Sequence, residues 1–79
     1  MIKKELNVIV QDILHAIAER YVRNGYKIPD DILTLKDETT EIFDKCSKEE
    51  NTAVLEQCKS RLEEIRATVT ELNYAPPSP

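Results

Sequence analysis

Apolar side chains recur every three to four positions along the first two dozen residues of this chain. On a wheel of 100° per residue, Ile2, Leu6, Ile9, Val10, Ile13, Leu14, Ile17 and Tyr21 fall within a sector of roughly 160°, wider than the ~100° stripe of an ordinary surface helix. The pattern predicts a long amphipathic helix over about residues 3–24 that packs against more than one neighbour. Gly25 follows the last periodic residue, and Arg20 and Arg23 occupy the final turn. A left-handed residue after the helix and cations at the negative end of its dipole are the expected stop.

Pro29 disfavours the α region for Ile28 before it, and suits the first position of a new helix; Asp30 and Asp31 then place negative charge beside the exposed N–H groups of that first turn. Helix two is predicted over about 29–46, with a seam of Ile32, Leu35, Thr39, Ile42 and Cys46 flanked by Leu33 and Phe43. Continuing that seam would require apolar residues where the chain has Glu49, Ala53, Glu56 and Ser60. A fresh seam of Leu55, Cys58, Leu62, Ile65, Val69 and Leu72 starts instead, displaced by two positions, so the chain must turn. Ser47-Lys48-Glu49-Glu50 fits the S-x-x-E capping box, which places the turn near Cys46 to Glu50 and helix three over about 48–72. The result is one helical domain over 1–73. Pro76, Pro77 and Pro79 cannot continue a helix, so 74–79 reads as a flexible, extended tail. Its PxxP spacing lacks the flanking base expected of an SH3-type ligand.

With 79 residues and a single glycine, the chain has neither the length for a doubly wound sheet or barrel enzyme nor the turn chemistry for a many-stranded β fold. Apolar residues at 41% and charged residues at 33% suit a folded helical protein rather than a disordered one. Three helices of this size bury a modest core. The fold class expected is therefore all-α, a long first helix followed by a helix 2–helix 3 hairpin, packing as a homodimeric bundle. The candidate core or dimer seam is Ile9, Ile13, Ile17, Leu55, Leu62, Ile65 and Val69.

The net charge of −4 is unevenly spread. Residues 1–28 sum to +2 and residues 29–79 to −6. A phosphate backbone is repelled by the acidic region, so nucleic acid could use only the end of helix one, and a basic protein surface is the favoured electrostatic partner. No apolar run approaches the ~20 residues that span a bilayer, and Glu5, Gln11 and Asp12 interrupt what a signal peptide would need. The location expected is cytoplasmic.

The residues capable of chemistry do not assemble into a recognisable catalytic or metal set. His15 is the only histidine, with Glu19 one turn on and no nucleophile or further ligand nearby. Cys46 and Cys58 match neither a CxxC motif nor a zinc knuckle. With the turn at Ser47, they lie on the order of 10–15 Å apart, beyond the reach of a disulfide, and read as small packed thiols. Asp30/Asp31, Glu49/Glu50 and Glu63/Glu64 read as dipole complements or solvated surface. One glycine excludes phosphate loops and nucleophile elbows. Arg20, Tyr21, Arg23, Tyr26 and Lys27 form the one candidate interaction patch, because cations and rings at a helix end can hold a phosphate or stack on a base. No catalytic residue, metal site or cofactor is expected.

The run Val8-Ile9-Val10-Gln11-Asp12-Ile13-Leu14, then Asn24-Gly25-Tyr26-Lys27-Ile28 and Ile32-Leu33-Thr34-Leu35, followed by a third helix, resembles the small helical regulators of biofilm formation and acid resistance in enteric bacteria, the YmgB/AriR type. That resemblance covers about two-thirds of the chain and implies a dimeric all-α fold with a regulatory, non-enzymatic role. The function expected is that of a small regulator or adaptor acting on another protein. The alternatives are a DNA-binding regulator using the basic end of helix one, and a secretion chaperone or immunity protein.

Overall fold

The computed structural model describes residues 2–71 and consists, over that span, of three α-helices and no strand. Helix α1 covers Ile2–Ile17 and passes into a π-helical turn over Ala18–Val22; α2 covers Asp30–Lys48 and α3 Thr52–Glu71. The all-α class and the hairpin between the second and third helices agree with the hydrophobic pattern. The tail over 74–79, with its PxxP spacing, lies outside the described residues, as does Leu72.

Ion pairs fix the directions of the helices. Lys59 Nζ donates to Glu5 Oε2 at 2.7 Å and Arg66 Nη1 to Asp12 Oδ2 at 3.0 Å, both across the same separation of 54 residues. Two bridges a heptad apart on both partners require α1 and α3 to run parallel in constant register. Helix α2 runs against both: Lys3 at the start of α1 reaches the Ser47 carbonyl near the end of α2 at 3.5 Å, and Arg61 makes a fork of 2.6 and 2.8 Å bonds to the Glu38 carboxylate. The bundle is therefore up, down, up, and the wide apolar face of α1 is shared by both neighbours, most extensively by α3.

Between the helices lie Leu6, Ile9, Val10, Ile13, Ile17 and Tyr21 from the first, Ile32 and Cys46 from α2, and Leu55, Cys58, Leu62, Ile65 and Val69 from α3, all buried. The seven seam residues expected from the pattern, Ile9, Ile13, Ile17, Leu55, Leu62, Ile65 and Val69, are thus consumed inside a single chain. The three helices of one chain suffice to enclose them.

The structure departs from the sequence reading in four places. The last part of helix one is a π turn, with Arg23 N–H donating to the Ala18 carbonyl at 2.8 Å and the Asn24 side-chain amide donating to the carbonyls of Glu19 and Arg20 at 2.9 and 3.2 Å. The wider turn leaves carbonyls that need donors, and Asn24 supplies them. Gly25 then takes φ +74°, the left-handed stop that the pattern predicted. Pro29 has extended backbone (ψ 152°) and precedes the first helical residue rather than being it; its carbonyl accepts the Leu33 N–H at 2.9 Å.

The capping box is the third correction. Ser47 lies inside α2, its hydroxyl donating to the Asp44 carbonyl at 2.8 Å, so α2 continues to Lys48. Asn51 is the residue that starts α3, with Oδ1 accepting the Ala53 N–H at 2.9 Å, while Glu49 Oε2 accepts the N–H groups of Glu50 and Asn51 and shapes the turn between. Shifting the turn by about one helical turn changes which α3 residue stands beside Cys46. The fourth correction follows from that shift: Cys46 and Cys58 are neighbours in the core, not thiols 10–15 Å apart, and both are free.

Candidate interaction surface

The three carboxylates of the first helix, Glu5, Asp12 and Glu19, recur at intervals of seven and so share one column of its surface. Glu5 and Asp12 face α3 and are paired with Lys59 and Arg66. The Lys59 ammonium holds the Glu5 carboxyl below its ordinary range, and Glu5 in turn raises the ammonium. Glu19 pairs with Arg23 and lies 3.6 Å from His15 Nε2. The rest of the exposed surface of this helix, comprising Lys3, Lys4, Asn7, Val8, Gln11, His15 and Val22, carries no carboxylate.

On α2 the corresponding sorting is set by Glu38, which faces α3 and is held below the usual carboxylate range by the Arg61 guanidinium beside it. The side turned towards α1 is marked by Phe43 and Ser47. Stepping back from Phe43 by one and two turns gives Thr40 and Lys36, and one more turn gives Leu33, again without a carboxylate. Asp44 stands about 100° round from Phe43 and Asp37 about 100° round from Lys36, both exposed, and Leu33 lies one turn from Asp37 and Asp30 on that outer side.

Between these two sides opens a cleft of about 240 Å³ lined by Lys3, Leu6, Asn7, Phe43, Cys46 and Ser47. Its wall is mostly apolar. The thiol of Cys46 is pushed up to about 12 by burial first and then by the Cys58 thiol, so it contributes to that wall as a neutral group. Lys3 closes one rim, its ammonium on the Ser47 carbonyl at the negative end of the α2 dipole.

The large apolar side chains that the fold leaves exposed are Val8 (52%), Val22 (60%), Leu33 (36%) and Phe43 (38%). All four belong to the first helix or α2, and α3 contributes none among the described residues. A single exposed Val or Leu needs no explanation; of the four, Phe43 alone lines the cleft and joins it to the exposed surface.

The patch expected from sequence is only partly assembled. Tyr21 is buried in the core (3% exposed) and Tyr26 packs against it, its N–H on the Tyr21 carbonyl at 2.8 Å, so neither ring is presented as a free stacking platform. Arg23 is exposed but committed to Glu19, Arg20 is half-buried, and Lys27 is exposed. His15 stands in solvent with a side chain 77% exposed. The described residues include no group of three or more His, Cys, Asp or Glu arranged to hold a metal ion, and no helix long and apolar enough to cross a membrane.

No protein-family model, curated protein or solved structure matches this chain. The functional reading therefore rests on the surface itself. The sequence pattern marks Leu33 and Phe43 only as flanking a seam, which does not show that Phe43 borders a cleft.

Proposed function

We propose that this protein is a non-enzymatic adaptor or regulator that works by binding another protein through the face formed by α1 and α2. The observation that carries the reading is the cleft with apolar walls between α1 and α2, flanked by the exposed ring of Phe43. Exposed apolar area of this kind is unfavourable in water unless a partner covers it, and aromatic side chains such as Phe43 are typical anchors of such contacts. The regulatory part of the reading rests on the resemblance to the YmgB/AriR type alone. Against nucleic acid stand the engagement of Arg23 with Glu19 and the use of both tyrosines in packing.

The test is affinity capture from the native host with the wild-type chain and with the double variant Val22→Glu, Phe43→Glu, both residues being exposed enough to change without opening the core. A protein retained by the wild type and lost by the variant supports the reading. A protein retained equally by both, with the variant folded by circular dichroism, places the working surface elsewhere.

A further inference from the structure

Two free thiols meet across the α2–α3 hairpin. Cys46 stands four residues before Glu50, at the middle of the turn, and Cys58 eight residues after it. The Glu38–Arg61 fork joins positions 12 residues before and 11 after the same point and keeps the two arms in step. At 1.5 Å per residue, the cysteines are therefore offset by about 6 Å along the hairpin. Side chains tilt towards the N-terminus of their helix, which carries the Cys46 sulfur away from the turn and the Cys58 sulfur towards it, so the two lean together. The backbones stay apart. The offset, added to the spacing of two packed helices, leaves the Cα atoms beyond the ~7 Å that a disulfide tolerates. Both thiols are buried, and that of Cys58 is close enough to raise that of Cys46.

Cys46 also lines the cleft, so its sulfur lies on a route from solvent wide enough for an ion. No third ligand completes the pair. Among the described residues no group of three or more His, Cys, Asp or Glu is arranged to hold a metal ion. Glu49, the carboxylate whose charge acts on Cys46, is engaged with the N–H groups of Glu50 and Asn51. Structural zinc needs four ligands, and magnesium and calcium take oxygen donors, so two sulfurs alone suit none of these ions. Thiolates without nitrogen or oxygen partners select a soft ion, and a soft ion satisfied by two ligands in a line is copper(I).

We propose that Cys46 and Cys58 form a two-coordinate site for one copper(I) ion, seated between α2 and α3 behind the wall of the cleft. On binding, both S–H bonds break and two S–Cu bonds form; the two protons pass to water through the cleft, and copper stays monovalent, so no electron moves. The loaded site carries one negative charge, two thiolates against one cation. Lys3 in the cleft lining and Lys45 beside Cys46 in the chain offset that charge, with Glu49 acting against them. Because burial keeps Cys46 protonated at neutral pH, only an ion that binds thiolate strongly enough to displace the proton occupies the site. The site is independent of the protein-binding role proposed above.

The experiment titrates the reduced, isotopically labelled full chain with copper(I) under anaerobic conditions, against a chromophoric copper(I) chelator, and follows the product by native mass spectrometry and copper X-ray absorption. One ion on a single chain, two sulfur neighbours at the copper, and amide shifts centred on Cys46 and Cys58 with the dispersion of the folded chain preserved are expected. An equimolar amount of zinc(II) should displace none of it. Cys46→Ser and Cys58→Ser should each weaken binding at least about 100-fold, since each removes one of two ligands that the fold holds at high effective concentration. If a serine variant fails to fold by circular dichroism, the wild-type stoichiometry, sulfur count and zinc competition decide. No copper taken from the chelator, two chains per ion, three or more ligands at the copper, displacement by zinc(II), or undiminished binding by a folded serine variant each overturn the assignment.

Discussion

Replacing Thr39 with valine should stabilise this protein, and the size of the effect can be worked from its surroundings. Thr39 is fully buried and is the one buried polar residue among those described; it interrupts a seam that is otherwise Ile32, Leu35, Ile42 and Cys46. Its hydroxyl donates to the Leu35 carbonyl at 2.8 Å, one turn back in the same helix. That carbonyl also faces the Thr39 N–H in the regular helical pattern, so removing the hydroxyl strands no acceptor. Burying a hydroxyl costs about 1–3 kcal/mol and its bond returns about 0.5–1.5, whereas a methyl group in its place contributes about 0.8. The net expectation for Thr39→Val is a gain of about 1–2 kcal/mol. At about 4–8 °C per kcal/mol for a domain of this size, the melting temperature rises by at least several degrees. Thr39→Ser, which keeps the hydroxyl and deletes a buried methyl, should lose about 1 kcal/mol. Urea unfolding followed at 222 nm, with the slope checked for constancy, measures both variants. Destabilisation of Thr39→Val by 1 kcal/mol or more, at unchanged slope, would refute the reasoning and mean that the hydroxyl has a partner beyond its own helix.

Three further outcomes are expected. Asn51→Ala should cost about 1 kcal/mol through loss of the α3 cap, while Ser47→Ala stays within about 0.5 kcal/mol; equal costs in urea melts would restore the capping box to Ser47. Because Arg61 depresses the Glu38 carboxyl, their pairing stabilises the fold above the unfolded glutamate range and is lost as pH falls below about 4.5 and through the depressed folded value; Glu38→Gln should make the acid limb of stability against pH shallower. Neither thiol should react with a disulfide reagent at pH 8 until the chain is unfolded, and, with the folded Cys46 thiol raised to about 12 from an ordinary 9.0, stability should decline as pH rises through that interval, less steeply in Cys46→Ala.

The hairpin between α2 and α3 was legible because a heptad seam is a register, and a register that slips by two positions cannot continue along one rod. The core was legible for the same reason: each of the seven seam residues is buried. What the pattern could not fix is where a turn without glycine or proline falls. Ser47 and Asn51 are both good capping types, and the choice goes to Asn51 because α2 extends beyond Cys46 to Lys48, leaving the Ser47 hydroxyl an acceptor within its own helix. From that one-turn difference followed the misplacement of the cysteines, since a hairpin converts an error in the turn into an error of pairing along both arms.

The interaction surface shows a different limit. A wheel of helix one alone reveals that Glu5, Asp12 and Glu19 share a column, but it cannot say whether that column faces a neighbour or solvent. Only the parallel packing of α1 on α3, with Lys59 and Arg66 at the matching heptad spacing, assigns the acids to the interior groove and leaves the opposite side neutral to basic. Summed charge along a sequence is the wrong quantity for this question, because folding sorts charges by face. In this bundle α3 draws the acids of α1, and Glu38 of α2, towards its own bases. The sorting leaves Phe43 at a cleft whose lining carries Lys3 and no carboxylate, so the charge a partner meets there is not the charge of the whole chain.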